Sequence, residues 1–443
     1  MTSVSMRFMG SLLALIGLAA ATTANATLPI QQWTTSGGAR VLFVETHDLP
    51  MLDLSVDFPA GSSRDAPEKS GTASLTLGLM RGGAGTLGED EISERLASIG
   101  ADMSGRFDVD RAGYGLRTLS SARERDEALG LLATVLQKPT FPQKIFEREQ
   151  QRTLAGLREA ETRPEVLADR EFRHLVYGTH PYSQRGSGEA ETVAKLRRED
   201  LVEFYRRHFT AGDAVVSIIG DLTRSEASAI AEQLTTGLGR RSEPLVVLPP
   251  VSQLATGRIS RIAHPATQAH ILIGQPGIKR LDPDYFALFL GNYVLGGGGF
   301  ASRLNDEIRQ KRGYAYSTYS YFNPLALEGP FQIAVQTKKD TTEDALKVAQ
   351  DTLAKFVAEG PTPQELDAAK QNIIGGFPLR IDSNKKIQDY LSIIGFYRLP
   401  LTYLDDFPVQ IERVTLEQIK ETWRRRIHPD RMATVVVAGA DPR

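Results

Sequence analysis

Cysteine is absent from all 443 residues. That one absence excludes disulfides, thiolate metal sites and cysteine nucleophiles together. Stability must therefore come from buried cores, and the chain is long enough for two. A charge excess is missing too: 52 basic residues face 54 acidic ones, for a formal net charge of −2. Such a balance leaves no electrostatic footprint for nucleic acid, and the short run Arg424-Arg425-Arg426 reads as a solvated helix end. Histidine is scarce. Of the seven, no two stand at the i,i+4 spacing that places two imidazoles on one helix face. His174/His180 and His264/His270 are each six apart, which suits one strand face but comes with no well-spaced carboxylate. No G-x-S-x-G elbow and no Walker-type phosphate loop occurs. The glycine run between Leu295 and Phe300 lacks the Lys-Ser/Thr that follows in a phosphate loop, and reads as a flexible connection between helices.

Apolar runs long enough to cross a membrane are also lacking after the first 26 residues. Those 26 form the pattern of a secretory signal. Arg7 supplies positive charge, Phe8 to Ala21 is apolar or small, and Ala24-Asn25-Ala26 is a small-x-small cleavage site. Cleavage before Thr27 is the expectation, rather than retention as an anchor, and it implies a periplasmic protein.

What the sequence does contain is a long internal repeat. The segment Asp200 to Phe209, then Ala214 to Gly220, is answered by Gln418 to Ile427, then Ala433 to Gly439. Each reads as an amphipathic helix, a polar turn and a buried strand stopped by glycine. Arg40-Val41-Leu42-Phe43-Val44 is answered by Arg258-Ile259-Ser260-Arg261-Ile262, and 258 − 40 = 218. A repeat of this length is a duplicated domain. The expected division is a signal at 1–26, a first domain at 27–241, a proline-marked linker at 242–251 and a second domain at 252–443. Thr223/Glu226, Thr362/Glu365 and Thr415/Gln418 are capping-box pairs that mark helix starts. Strands grouped with helices to one side predict an α+β architecture: two homologous domains, each a mainly antiparallel sheet with helices packed on one face.

Gly61-Ser62-Ser63-Arg64-Asp65, followed by Ser70-Gly71-Thr72-Ala73-Ser74-Leu75-Thr76-Leu77-Gly78, resembles the opening of the pitrilysin/insulinase metallopeptidase family. Members carry H-x-x-E-H on the helix after that turn and one further glutamate on a later helix. Here the resemblance places the motif on Ser74, Leu77 and Gly78, and the later glutamate on Ala155. None of these four can hold zinc or act as general base. The stretch Ser302 to Ser317 resembles the family's Arg/Tyr segment, an arginine seven residues before a tyrosine, here Arg309 and Tyr316. The resemblance gives that pair the role of gripping substrate backbone and stabilising the oxyanion, which suits guanidinium and phenol donors. Alternation along the segment would put Tyr314, Tyr316 and Ser320 on one strand face.

A chain that lacks the metal half of a site and keeps the donor half is expected to work with a partner. The resemblance implies the non-catalytic subunit of an exported heterodimer similar to the mitochondrial processing peptidase, with zinc in the homologous subunit and peptide as substrate. It makes the chain half of a four-domain clamshell. Two rivals stay open: a structural or peptide-binding subunit without part in proteolysis, and a self-sufficient enzyme using another site.

Overall fold

The computed structural model describes residues 28–439, so the expected signal lies outside the described residues. The first sheet is built from β1 (Gln31–Thr34), β2 (Arg40–Glu45), β3 (Met51–Phe58), β6 (Asp102–Phe107), β7 (Ala112–Leu119) and β8 (Val215–Gly220), while β4 (Gly83–Ala84) and β5 (Leu87–Gly88) form a small hairpin. Its helices are α1 (Thr72–Met80), α2 (Glu89–Ser98), α3 (Ala122–Gln137), α4 (Gln143–Ala160), α5 (Pro164–Tyr177), α6 (Ala190–Val193), α7 (Arg198–His208) and α8 (Arg224–Thr235). The second sheet holds β9 (Arg258–Ala263), β10 (Gln268–Pro276), β11 (Ala315–Phe322), β12 (Pro330–Lys338) and β13 (Ala433–Ala438). Its helices are α9 (Tyr285–Asn292), α10 (Thr342–Glu359), α11 (Pro363–Gly375), α12 (Asn384–Phe396), α13 (Tyr403–Arg413) and α14 (Leu416–Arg426).

The strand orders are β1-β2-β8-β3-β7-β6 and β9-β13-β10-β12-β11. Apart from the extra strand β1, they correspond one to one. Arg40 pairs with Val215 in a parallel ladder, and Arg258 pairs with Ala433 in another. Since 433 − 215 and 258 − 40 both equal 218, the repeat seen in the sequence is a repeat in register. All other neighbouring strands run antiparallel. The three capping boxes form as their spacing predicts, with Thr223, Thr362 and Thr415 each accepting from the backbone N–H three residues on. The expectation of a mainly antiparallel sheet with helices on one face therefore holds for each half.

The opposite face of each sheet is crossed by a helix from the other half. Phe172 and Val176 of α5 pack with Leu272, Val435 and Val437 of the second sheet. Ile387, Leu391 and Ile394 of α12 pack with Leu42, Val44, Val215 and Ile219 of the first. Burying one such side chain stabilises by about 1.5–3 kcal/mol, so the exchange fastens the halves with cores rather than with surface contacts.

Around this exchange lies a buried polar network. Asp110, in the β6–β7 turn, accepts from Tyr182 Oη (2.8 Å), Tyr397 Oη (2.9 Å) and the backbone N–H of Ala326 (2.8 Å). Asp57 accepts from Ser55 Oγ and Ser392 Oγ, and Arg111 donates to Ser392 as well. Burial pushes the Asp110 carboxyl above the usual aspartate range, partly opposed by its three donors. The segment between the halves is held in place too: Val246 O accepts from Arg64, and Pro249 O from His180.

Three readings of the sequence change. The glycine-rich connection is not loose: residues 293–297 wind as a π-helical turn, and a Cβ at Gly296 would lie 2.4 Å from Ser320 Oγ. Glycine there lets the helix touch β11. The end of α14 is not simply solvated, because Arg426 pairs with the buried Asp282 and Arg425 with Asp284. His264 lies just beyond β9 while His270 lies within β10, and His174 is on α5, so neither six-residue pair shares a strand. His180 is a turn residue, accepting from Tyr182 N through Nδ1.

His208, in the last turn of α7, is buried against Phe204. Burial, with Arg64, Arg207 and Arg241 nearby, pushes its pKa down to about 4. The unfolded chain, with an ordinary imidazole near 6.5, therefore binds the proton better. This contribution is complete above about pH 6.5 and is lost as pH falls toward 4, to a total of about 3 kcal/mol. Denaturant titrations at about pH 7 and about pH 4.5 are expected to show a smaller acid loss for His208→Gln than for the wild type. Equal losses would contradict it.

Candidate functional site

The helix expected to carry the metal motif is α1, and its start is built with care. Gly71 turns the chain at φ 101°, and Asp65 accepts from the backbone N–H groups of Gly71 and Ala73, both at 2.8 Å. A carboxylate on those N–H groups completes the helix start. From there the i, i+3, i+4 spacing brings Ser74, Leu77 and Gly78 to one face, the geometry two ligands and a base would need. Tyr114 Oη donates to Leu77 O and holds the last turn against β7.

These three residues open onto a cleft of about 380 Å³ between α1, α4 and the edge strand β6. Its wall is cationic. Arg81, Arg148 and Arg152 line it, with Glu89 and Glu149. Arg148 is taken by Glu89 (2.8 Å) and Glu149 (2.8 Å), and Arg152 stands 3.7 Å from Glu149. Ala155, the expected position of the later glutamate, is exposed and not among the lining residues; α4 presents Arg148, Glu149 and Arg152 instead. The lining's two carboxylates, Glu89 and Glu149, are both paired with Arg148, and beside them stand a hydroxyl, an isobutyl group and a glycine, a set unsuited to zinc. Among the described residues no group of three His, Cys, Asp or Glu could hold a metal ion. Sequence reading missed the arginines because it counted forward from the motif. The i,i+4 pair Arg148/Arg152, and Arg81 three residues after Gly78, were the available signals.

Arg309 and Tyr316 lie elsewhere, at the edge of the second sheet. Arg309 is in a π-helical turn over residues 305–310, exposed, with its guanidinium 4.9 Å from the Phe300 ring centroid. No carboxylate among the described residues lies within ion-pair distance of it. The backbone folds back at once, with Gly313 N donating to Arg309 O and Tyr314 N to Ile308 O. Tyr316 sits at a β-bulge. Ala315 opposes Thr337 and Ser317 opposes Gln336, leaving Tyr316 without a cross-strand partner. Bulges of this kind re-aim a side chain at a sheet rim, and Tyr316 is 51% exposed. The bulge also overturns the expected face. Tyr314 precedes the strand, Ser320 points inward to Asn292, and Tyr319 and Tyr321 line a polar cleft on the other side of the sheet.

Within one chain the two half-sites do not meet. Every residue lining the α1 cleft comes from positions 74 to 152, none from the second half.

Residues 40–184 match the family described as Insulinase (Peptidase family M16), and residues 195–373 match the one described as Peptidase M16 inactive domain. A crystal structure titled as a peptidase M16 inactive domain from Pseudomonas fluorescens is 38% identical, with a TM-score of 0.90 over 94% of this chain and 98% of that one. The "Non-peptidase homolog YmxG" of Helicobacter pylori is 27% identical over 86% of this chain and 87% of its own. The "Uncharacterized zinc protease YmxG" of Bacillus subtilis is 23% identical over 90% and 96%. The periplasmic protease PqqL of Escherichia coli shares the fold at 17% identity, with a TM-score of 0.78 over 99% of this chain and 49% of that one.

Proposed function

Because this chain belongs to peptidase family M16, the insulinase family, we propose that it is the non-catalytic subunit of an exported heterodimeric zinc metallopeptidase. It binds peptide and supplies Arg309 and Tyr316 in trans to the zinc site of a homologous subunit. The observation that carries this reading is an asymmetry. The α1 face has lost every metal-binding side chain, while Arg309 and Tyr316 stay exposed, close in the chain and, among the described residues, free of carboxylate partners. A guanidinium and a phenol at a sheet rim suit a site completed by another polypeptide. The inactive-domain match and the relative named as a non-peptidase homolog agree with a chain that does not cleave by itself.

Export rests on the leader at 1–26, and the periplasmic PqqL offers a precedent for this fold in that compartment. The two functional halves divide at 242–251, and zinc belongs to the partner. The test is to co-express the mature chain with a homologous chain from the same genome that has an intact H-x-x-E-H. The two are expected to co-purify, and to cleave an unfolded-protein substrate together while this chain alone does not. Assembly without any gain in cleavage would favour a structural subunit. Zinc-free cleavage by the pure chain would favour a self-sufficient enzyme.

A further inference from the structure

The cleft beside α1 offers no metal set, yet its wall is built for an anion. We propose that it binds the C-terminal carboxylate of an extended peptide paired with the free edge of β6. This rests on the peptide-binding part of the function proposed above and names what the site recognises.

The edge comes first. β6 is the last strand of its sheet, bonded to β7 on one side only. In an antiparallel ladder the N–H and C=O of a residue point to the same side, and successive residues alternate. Met103 O accepts from Arg81 Nη1 at 2.8 Å, so Met103 points away from β7. By the same alternation Gly105 and Phe107 offer their N–H and C=O outward, beside α1. A Cβ at Gly105 would lie 3.6 Å from Leu77 Cδ2, so the open edge runs directly past the motif face. Pairing must stop at Met103, where Arg81 already fills the carbonyl.

Direction follows from charge. A strand antiparallel to β6 runs from Phe107 toward Met103 and delivers its C-terminus to Arg81. A parallel strand would bring its ammonium there instead. Arg81 is held by neutral oxygens, Met103 O and Ser93 Oγ (3.3 Å), and no carboxylate among the described residues lies within ion-pair distance. Arg152 is 82% exposed and only loosely set against Glu149. Three guanidiniums against two carboxylates leave the lining one positive charge in excess. A terminal carboxylate is opposite in sign to that excess and fits a guanidinium fork, whereas an ammonium is repelled. Ser74 and Gly78 leave the room: a Cβ at Gly78 would meet nothing within 4 Å.

The experiment titrates a fluorescein-labelled octapeptide of alanine, threonine and valine against the mature chain, as the free C-terminal acid and as the amide. A charge-assisted hydrogen bond predicts that the acid binds about 10-fold more tightly. Arg152→Gln, a change at an exposed position, is expected to shrink that ratio, and Arg81→Gln to shrink it further. Equal binding of acid and amide by the wild type overturns the carboxylate site while leaving peptide binding intact. A preference that survives both substitutions overturns it too. Failure of both peptides to bind overturns the peptide-binding reading together with it.

Discussion

Arg309→Ala, assayed in complex with the zinc-bearing subunit, is expected to lower kcat by about 100- to 1,000-fold, the effect of removing one donor from an oxyanion site. Assembly should be unchanged, because Arg309 makes no ion pair among the described residues and its ring contact with Phe300 is on the surface. Tyr316→Phe, which removes only the hydroxyl, should show a smaller loss in the same direction. Its ring stays at the bulge, so the strand register is preserved. Single-turnover kinetics distinguish the roles. A loss confined to the chemical step marks transition-state stabilisation, and a rise in KM alone marks substrate grip. Full activity of the double variant would leave the pair with only a surface role.

Asp110→Ala should be the most damaging single change to stability. It strands one buried phenol, one half-buried phenol and one backbone N–H, since Tyr182, Tyr397 and Ala326 all donate to this carboxyl. Truncating one member of a buried polar network costs about 3–5 kcal/mol, because the remaining groups lose their partners inside the protein. Asp110→Asn should cost far less. Its carbonyl still accepts, and a tyrosine hydroxyl can turn to accept from the amide. A neutral side chain also suits a site where burial already disfavours the charge. Calorimetry of the two variants provides the comparison, and similar melting temperatures for Ala and Asn would show that the network contributes little. The three donors come from different stretches of the chain, so the damage should fall on the junction of the halves.

The duplicated plan was legible because a helix-turn-strand pattern repeats, and Arg40 and Arg258 announce equivalent registers. Capping boxes were legible because their chemistry is local. The helix exchange was not. The apolar stripes of α5 and α12 say that a face is buried, but nothing in a stripe says against which sheet. The bulge at Tyr316 was hidden because period-two reading assumes an unbroken ladder. In the α1 cleft the lost ligands could be read from the motif positions. The arginines could not, because the count to Ala155 fixed attention one helical turn beyond Arg152 and two beyond Arg148.

The helix exchange has a consequence for the order in which this protein can be made. The sheet that receives α5 is completed by β13, an interior strand made after every other strand of that sheet. Until that strand emerges, Phe172 and Val176 have no finished surface to cover. The first sheet, whose strands are all made by residue 220, waits for α12 before its second face is closed. Neither half can mature alone while synthesis proceeds from one end. The nascent chain therefore carries the open face of the first sheet until α12 is made, and the apolar stripe of α5 until β13 arrives.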